Sequence, residues 1–230
     1  MIYLNIPKIS KRFNNSYIIP SSLLSLPIII NRCNDYGPAT KLIPTLDIET
    51  SPDTLVVTVD DDMIFKPNLL FRLVERYFTL PTVAYANAGQ MIDINDEFGP
   101  VVVRSAASWK DFDYPIDILE AFLGALYRRD FFDVTALKDI PAVCWRTDDI
   151  WISAHLARRG IPRIKVIQHA GEFATFSKND NIQPLREANV FGERKNDVCA
   201  AFLLESFRTM WIDNSSVVQS FCSFEPVLNK

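Results

Sequence analysis

The sequence predicts an α/β protein: one domain with a mixed, mostly parallel central β-sheet flanked by α-helices. Three observations carry that expectation. Short runs rich in Ile and Val alternate with segments of helical periodicity. One run, Leu55–Val59, is continuously apolar, the pattern of a strand covered on both faces. A chain of 230 residues, 48% hydrophobic and 23% charged, has the composition of a single globular domain with ample core rather than of a disordered polymer.

Taken in order, Ile2–Ile6 reads as the first strand. Pro20–Leu26 reads as a short helix, since Pro20 suits its start and Pro27 its stop. Ile28–Asn31 is a second strand and Pro38–Leu46 a helix made irregular by Pro44. After the strand Leu55–Val59, the segment Pro67–Phe78 spaces Leu69, Leu70, Leu73, Val74 and Tyr77 as one helical face. Val83–Ala86 and Val101–Val103 are further strands. An aromatic, acidic loop, Trp109–Pro115, leads into the segments Ile116–Phe122 and Gly124–Arg128. A helix over Thr147–Arg159 is closed by Gly160, Ile164–Ile167 is the last strand, residues 177–197 form a polar loop, and Val198–Trp211 is a C-terminal helix. No repeat or linker divides the chain.

Several functions are excluded by composition. A formal charge of −4 argues against a nucleic-acid binder that neutralises phosphates. The glycines stand at 37, 89, 99, 124, 160, 171 and 192, so neither G-x-G-x-x-G nor a P-loop can be built, and G-x-S-x-G is absent. Cys33, Cys144, Cys199 and Cys222 form no C-x-x-C, and His155 and His169 no H-E-x-x-H, so a zinc site is not expected. The scattered cysteines read as reduced thiols. The start of the chain lacks the pattern of a signal peptide, and runs such as Leu26–Ile30 are too short to span a bilayer. A cytoplasmic protein without a transmembrane segment is the expectation.

The densest chemistry lies in Thr54-Leu55-Val56-Val57-Thr58-Val59-Asp60-Asp61-Asp62. A buried strand ends in three acids, at the sheet edge where open α/β proteins hold ligands. In an extended segment Asp60 and Asp62 share one side and Asp61 takes the other. Two carboxylates with no Cys or His beside them suit Mg²⁺ or Mn²⁺; a solvated acidic turn is the plainer alternative. A second pair, Asp148-Asp149, follows Thr147 at a helix start, where the dipole favours acids and Thr147 is suited to cap. An ionised carboxylate there can also act as general base, with Asp149 the first candidate and Asp148 its substitute.

Strand-Asp-x-Asp followed by an Asp-Asp at a helix start resembles the GT-A glycosyltransferases, nucleotide-sugar enzymes with a metal-binding D-x-D. Four blocks stand in the order found in small GT-A enzymes of bacterial glycan clusters and chlorella viruses: Asp35-Tyr36-Gly37-Pro38-Ala39-Thr40-Lys41-Leu42, Val59-Asp60-Asp61-Asp62, Gly124-Ala125-Leu126-Tyr127-Arg128 and Thr147-Asp148-Asp149-Ile150-Trp151. The resemblance covers roughly residues 2–170. It implies a GT-A-like domain whose first 100 residues or so bind the nucleotide sugar and whose remainder binds the acceptor. It further implies Mn²⁺ or Mg²⁺ as cofactor, a UDP-sugar donor, and a glycan or glycoprotein acceptor.

Residue by residue, the resemblance makes Asp62 the metal ligand and Asp60 a contact to ribose or to the metal and its waters, with Asp61 beside them. Asp35 corresponds to the acid that meets the uracil ring. Thr40 and Lys41 would support phosphate or base contacts, Lys41 having an equal alternative as an exposed helix lysine. Asp149 takes the position of catalytic base, in a direct displacement that inverts the anomeric centre. His169 is a third metal ligand or phosphate contact, or else a buried histidine. Arg128, in Tyr127-Arg128-Arg129, would present a cation to the diphosphate. Trp109, Tyr114 and Glu120 are candidates for the acceptor side, with ordinary core or loop anchoring as the alternative. Related sequences carry a further strand and helix before the segment equivalent to Ile2–Pro7, which leaves Arg12 as the nearest basic candidate there. Residues 177–197 match no motif of the family.

Two other functional classes compete. Haloacid-dehalogenase-type phosphatases also end a strand in D-x-D, but on their first strand, whereas two strand-like segments precede it here. A non-catalytic glycan-binding relative of the GT-A fold is the third reading.

Overall fold

The computed structural model describes residues 1–94, 101–105, 113–167, 175–176, 189–190 and 193–211. The chain opens with strand β1 (Tyr3–Pro7), the short helix α1 (Ser21–Leu24) preceded by Pro20, and strand β2 (Ile29–Cys33). A single 3₁₀ turn, Ala39–Lys41, then gives way to helix α2 (Ile43–Ile48). Pro44 sits in the first turn of α2, where a missing N–H costs nothing, so the irregularity expected at Pro44 becomes a break at Leu42. Strand β3 (Leu55–Thr58), strand β4 (Met63–Ile64) and helix α3 (Leu69–Thr79) follow. Strands β5 (Ala84–Ile94), β6 (Val101–Ser105), β7 (Tyr114–Pro115) and β8 (Ile118–Arg128) come next. They are succeeded by helix α4 (Val134–Leu137), a 3₁₀ turn Ala142–Cys144, helix α5 (Asp148–Arg158) and strand β9 (Arg163–Lys165). Two-residue strands β10 (Thr175–Phe176), β11 (Asn189–Val190) and β12 (Glu193–Arg194) precede helix α6 (Lys195–Trp211).

The central sheet runs β3-β8-β5-β9-β7, with β6 on the distal part of β5. It is mixed, as expected, but mostly antiparallel: β3–β8, β5–β8, β5–β6 and β7–β9 are antiparallel and β5–β9 parallel. The expectation of mainly parallel pairing therefore fails, and β8 supplies two of the four antiparallel pairings. Ile116–Phe122 and Gly124–Arg128 looked like separate segments, yet they form one eleven-residue strand wedged between β3 and β5. Its continuity is hidden by an irregularity opposite Asn87, where Gly124 takes φ +96° and the Asn87 amide donates to the carbonyl of Leu123. Only glycine enters that backbone region cheaply. Because β8 pairs with both β3 and β5, the two halves of the sequence share one sheet.

Side chains alternate across this sheet and feed two apolar layers. Ala84, Ala86, Ala125 and Tyr127 face a larger cluster with α2, α4, α5 and α6, which contribute Leu46, Leu137, Trp151 and Leu203. Tyr85, Leu126, Ile164 and Val166 face a smaller one with Leu73 and Tyr77 of α3. β3 is less enclosed than its composition implied: Val56 and Thr58 are buried, while Val59 is 39% exposed. Among the described residues, no helix is long and apolar enough to cross a membrane.

The expectation of reduced thiols is corrected by a disulfide between Cys144 and Cys199, which joins the turn before α5 to α6. Both cysteines are fully buried and 55 residues apart in sequence, so nothing in their spacing announced the pairing. Cys33 is a free thiol, and Cys222 lies outside the described residues.

β1 and β2 pair in parallel as a separate ribbon. Between that ribbon and β3 opens a cleft of about 1390 Å³. Every residue from Met1 to Pro7 and from Thr54 to Asp62 lines it. One face of a strand would contribute alternate residues only, so unbroken runs mean that the strand edges themselves border the cleft.

Candidate functional site

The acids after β3 do not continue the strand. β3 ends at Thr58, and Asp61-Asp62 occupy a turn before β4, so the alternation expected of an extended segment is lost and all three acids line the cleft. Asp61 and Asp62 are exposed within it, whereas Asp60 is drawn inward. The Asp62 carboxyl is pushed above its usual range by burial, then by the like charges of Asp60 and Asp61.

Lys41 is the nearest cation to that charge. Its Nζ lies 2.6 Å from Asp60 Oδ1 and 3.2 Å from Asp148 Oδ2. The lysine is thus not an exposed helix residue: it lines the cleft and ties the end of β3 to the start of α5. Burial opposes its charge, but Asp148, Asp149 and Asp60 together hold its pKa well above the ordinary lysine value. The two acidic motifs, remote in sequence, meet across this one ammonium.

α5 begins where expected, though not by the expected cap. Thr147 Oγ1 donates to the Cys144 carbonyl, and no side chain caps the helix. Asp148 is buried and held by Lys41. Asp149 points elsewhere: its Oδ1 accepts the backbone N–H of Ala121 at 3.2 Å, on β8. Desolvation, then the Asp148 charge, raise its pKa well above that of an ordinary aspartate. Neither Asp148 nor Asp149 borders the large cleft, which stops at Asp60–Asp62 and Trp145–Arg146.

Beside Asp149 lie two groups on β8. The Tyr127 hydroxyl is raised in pKa by its complete burial and by Asp149. Glu120 accepts from Gln90 Nε2 at 2.7 Å, and burial pushes its carboxyl up to about 7. Lys165, across the sheet on β9, lowers Glu120 electrostatically and donates to the Tyr114 hydroxyl at 3.2 Å. Tyr114 is 5% exposed. Glu120 and Tyr114 are therefore joined in one polar patch on the sheet, reached through Lys165, next to Asp149.

The remaining residues singled out in the sequence fall in different places. Asp35 lines the cleft, and its two oxygens accept the backbone N–H groups of Lys11 at 2.6 Å and Gly37 at 2.7 Å. Thr40 also borders the cleft, its hydroxyl accepting from the Tyr36 N–H at 2.9 Å. Arg128 is not brought to the acids. It pairs opposite Leu55, at the start of β3, because β8 runs antiparallel, and its guanidinium is bidentate to Asp130. His169 and Trp109 lie outside the described residues. Sequence reasoning passed over Tyr127, Gln90, Lys165, Lys11, Trp145 and Arg146. Tyr127 sat in a quoted block and its neighbour Arg128 drew the attention instead.

The donor set suits a divalent ion only in part. Asp60, Asp61 and Asp62 offer hard oxygen ligands, and the charge crowding at Asp62 is of the kind a cation relieves. Lys41 already engages one oxygen of Asp60, and among the described residues no group of three or more His, Cys, Asp or Glu side chains is arranged to hold a metal. The fit is that of a partial site: cleft-lining carboxylates, one of them shared with Lys41.

No protein-family model matches the chain, and no curated protein matches it either.

Proposed function

We propose that this protein is a metal-dependent glycosyltransferase that moves a sugar from a UDP-sugar to a hydroxyl of a glycan or glycoprotein. The observation that carries the reading is the bridge Asp60–Lys41–Asp148, by which a cleft-lining D-x-D segment and a second acidic pair share one structural node. Asp60 and Asp62 are the residues that would hold Mn²⁺ or Mg²⁺; the ion would stabilise the charge on departing UDP.

The rest follows from this chain's own groups. The cleft accommodates a nucleotide, with Asp35 and Thr40 shaping the turn at its wall. Lys41 holds Asp60 in place and links the cleft-lining acids to the helix that carries Asp149. Asp149, raised in pKa by burial, takes the acceptor's proton, and Glu120, Gln90, Lys165 and Tyr114 form the polar patch beside it that would orient acceptor hydroxyls. In-line attack from that side inverts the anomeric centre. For location, the buried Cys144–Cys199 disulfide favours an oxidising compartment over the expected cytoplasm.

A thermal-shift screen of UDP, GDP, CDP and ADP with and without Mn²⁺ tests the reading. A ligand at a hundredfold its Kd stabilises by about 2.7 kcal/mol. Stabilisation by UDP with Mn²⁺, above the other nucleotides, is the expected result. Hydrolysis of a generic aryl phosphate without any nucleotide effect would favour the phosphatase class, and sugar binding without UDP or metal the glycan-binding class.

A further inference from the structure

Three segments distant in sequence converge at the mouth of the cleft. Asp35 holds the backbone N–H of Lys11 with one oxygen and that of Gly37 with the other. Gly37, at φ +62°, presses against Trp145: a Cβ there would stand 2.7 Å from the Trp145 carbonyl and 3.2 Å from the indole Nε1 and Cε2. Trp145 follows the turn anchored by the Cys144–Cys199 disulfide, so its backbone is fixed from the other side as well. The consequence is that the Lys11 ammonium lies 4.1 Å over the indole ring.

This pair has unused capacity. Lys11, Trp145 and Arg146 all border the cleft that contains Asp60–Asp62. Among the described residues, no carboxylate lies within ion-pair distance of the Lys11 ammonium or the Arg146 guanidinium. An exposed cation–π contact is weak and easily exchanged. A flat indole face, an uncompensated cation and a bank of acids within one cleft match the three parts of a nucleoside diphosphate with its divalent ion: base, phosphates and metal.

We propose that Trp145 is the stacking platform for the donor's nucleobase and Lys11 the counter-ion of its diphosphate, the two covering each other in this structure and parting when the nucleotide enters. This rests on the nucleotide-sugar reading above and adds the residues that recognise each end of the nucleotide. Arg146, adjoining Trp145, completes the phosphate side.

Calorimetric titration of the full chain with UDP, uridine and inorganic pyrophosphate, each with Mg²⁺, tests the assignment. Lys11→Met is expected to weaken UDP and pyrophosphate by about tenfold or more and to leave uridine unchanged. Trp145→Leu is expected to weaken UDP and uridine by a similar factor and to leave pyrophosphate unchanged. Lys11→Arg and Trp145→Phe should restore most of each loss, which separates recognition from damage to the fold. UDP bound equally well by wild type, Lys11→Met and Trp145→Leu overturns this inference while the donor reading stands. Equal loss of all three ligands in both variants assigns the pair a structural role and also overturns it. A wild-type protein that binds no nucleotide overturns both.

Discussion

The ammonium of Lys41 lies 2.6 Å from Oδ1 of Asp60, and the same nitrogen lies 3.2 Å from Asp148. One cation thus compensates acids contributed by the end of β3 and by the first turn of α5. Asp60 is 33% exposed and Asp148 only 9%, so the inner half of the bridge is the less screened.

Removing that cation should be costly. Lys41→Met leaves Asp148 buried without its ion pair, and breaking a buried pair typically destabilises by about 3–5 kcal/mol. Urea denaturation should show a loss of that order for Lys41→Met. The triple variant Lys41→Met, Asp60→Asn, Asp148→Asn should recover part of it, since no charge is then stranded. A Lys41→Met midpoint equal to that of the wild type would mean that water already compensates these acids.

The disulfide makes a separate contribution. Closing a loop between Cys144 and Cys199, 55 residues apart, removes denatured-state entropy worth about 4 kcal/mol at 25 °C on the chain-entropy estimate. Cys144→Ser with Cys199→Ser should lower unfolding free energy by up to that amount. A reductant should shift the wild type toward the double variant only under conditions that open the core, because both sulfurs are fully buried. Loss of stability in mild reductant at low urea would contradict this enclosure.

Two buried groups give opposite pH signatures. The folded-state pKa of Glu120 is about 7 against an ordinary 4.5. Its stabilising contribution is complete below pH 4.5 and lost as pH rises through 7, amounting to about 3 kcal/mol at most. His155, packed 4.3 Å from Trp151 with burial as the main cause, falls from 6.5 to about 4, so its contribution is present above pH 6.5 and lost as pH falls through 4. Relative to wild type, Glu120→Gln should therefore gain stability from pH 4.5 to 8. His155→Gln should gain relative stability in the other direction, toward pH 4. Difference curves from urea midpoints isolate each group from the other carboxylates; parallel curves would show that neither is perturbed.

The proposed base allows a binding–turnover comparison. Asp149→Asn keeps the side chain's shape and its place beside the Ala121 N–H, and Asp149 does not border the large cleft. UDP affinity should be unchanged, while transfer to an acceptor should fall by about 10²–10⁴-fold. A parallel loss of both would recast Asp149 as part of the structural node.

Much of the element order was legible. Local punctuation placed α1 at Pro20, α5 at Thr147 and its end at Gly160, whose φ is +67°. Strand direction was not legible. Apolar runs indicate that a segment is a strand and say nothing of its neighbour, and the positive-φ Gly124 made β8 look like two pieces. At the site, the acids were found because charges beside a buried strand are rare. Lys41's role was not, since a lysine reads as exposed until its partners arrive from 19 and 107 residues further along the chain. Lys11 and Trp145 were missed for the same reason: a turn held by Asp35 brings them together, and no periodicity encodes it.

The most direct measurement is calorimetric titration of UDP into the protein with Mn²⁺ and with chelator, for the wild type and for Asp62→Ala. The account predicts that the wild type binds UDP in a Mn²⁺-dependent manner and that Asp62→Ala loses that dependence together with most of its affinity. Equal UDP affinity for the two proteins, with or without the ion, would contradict it.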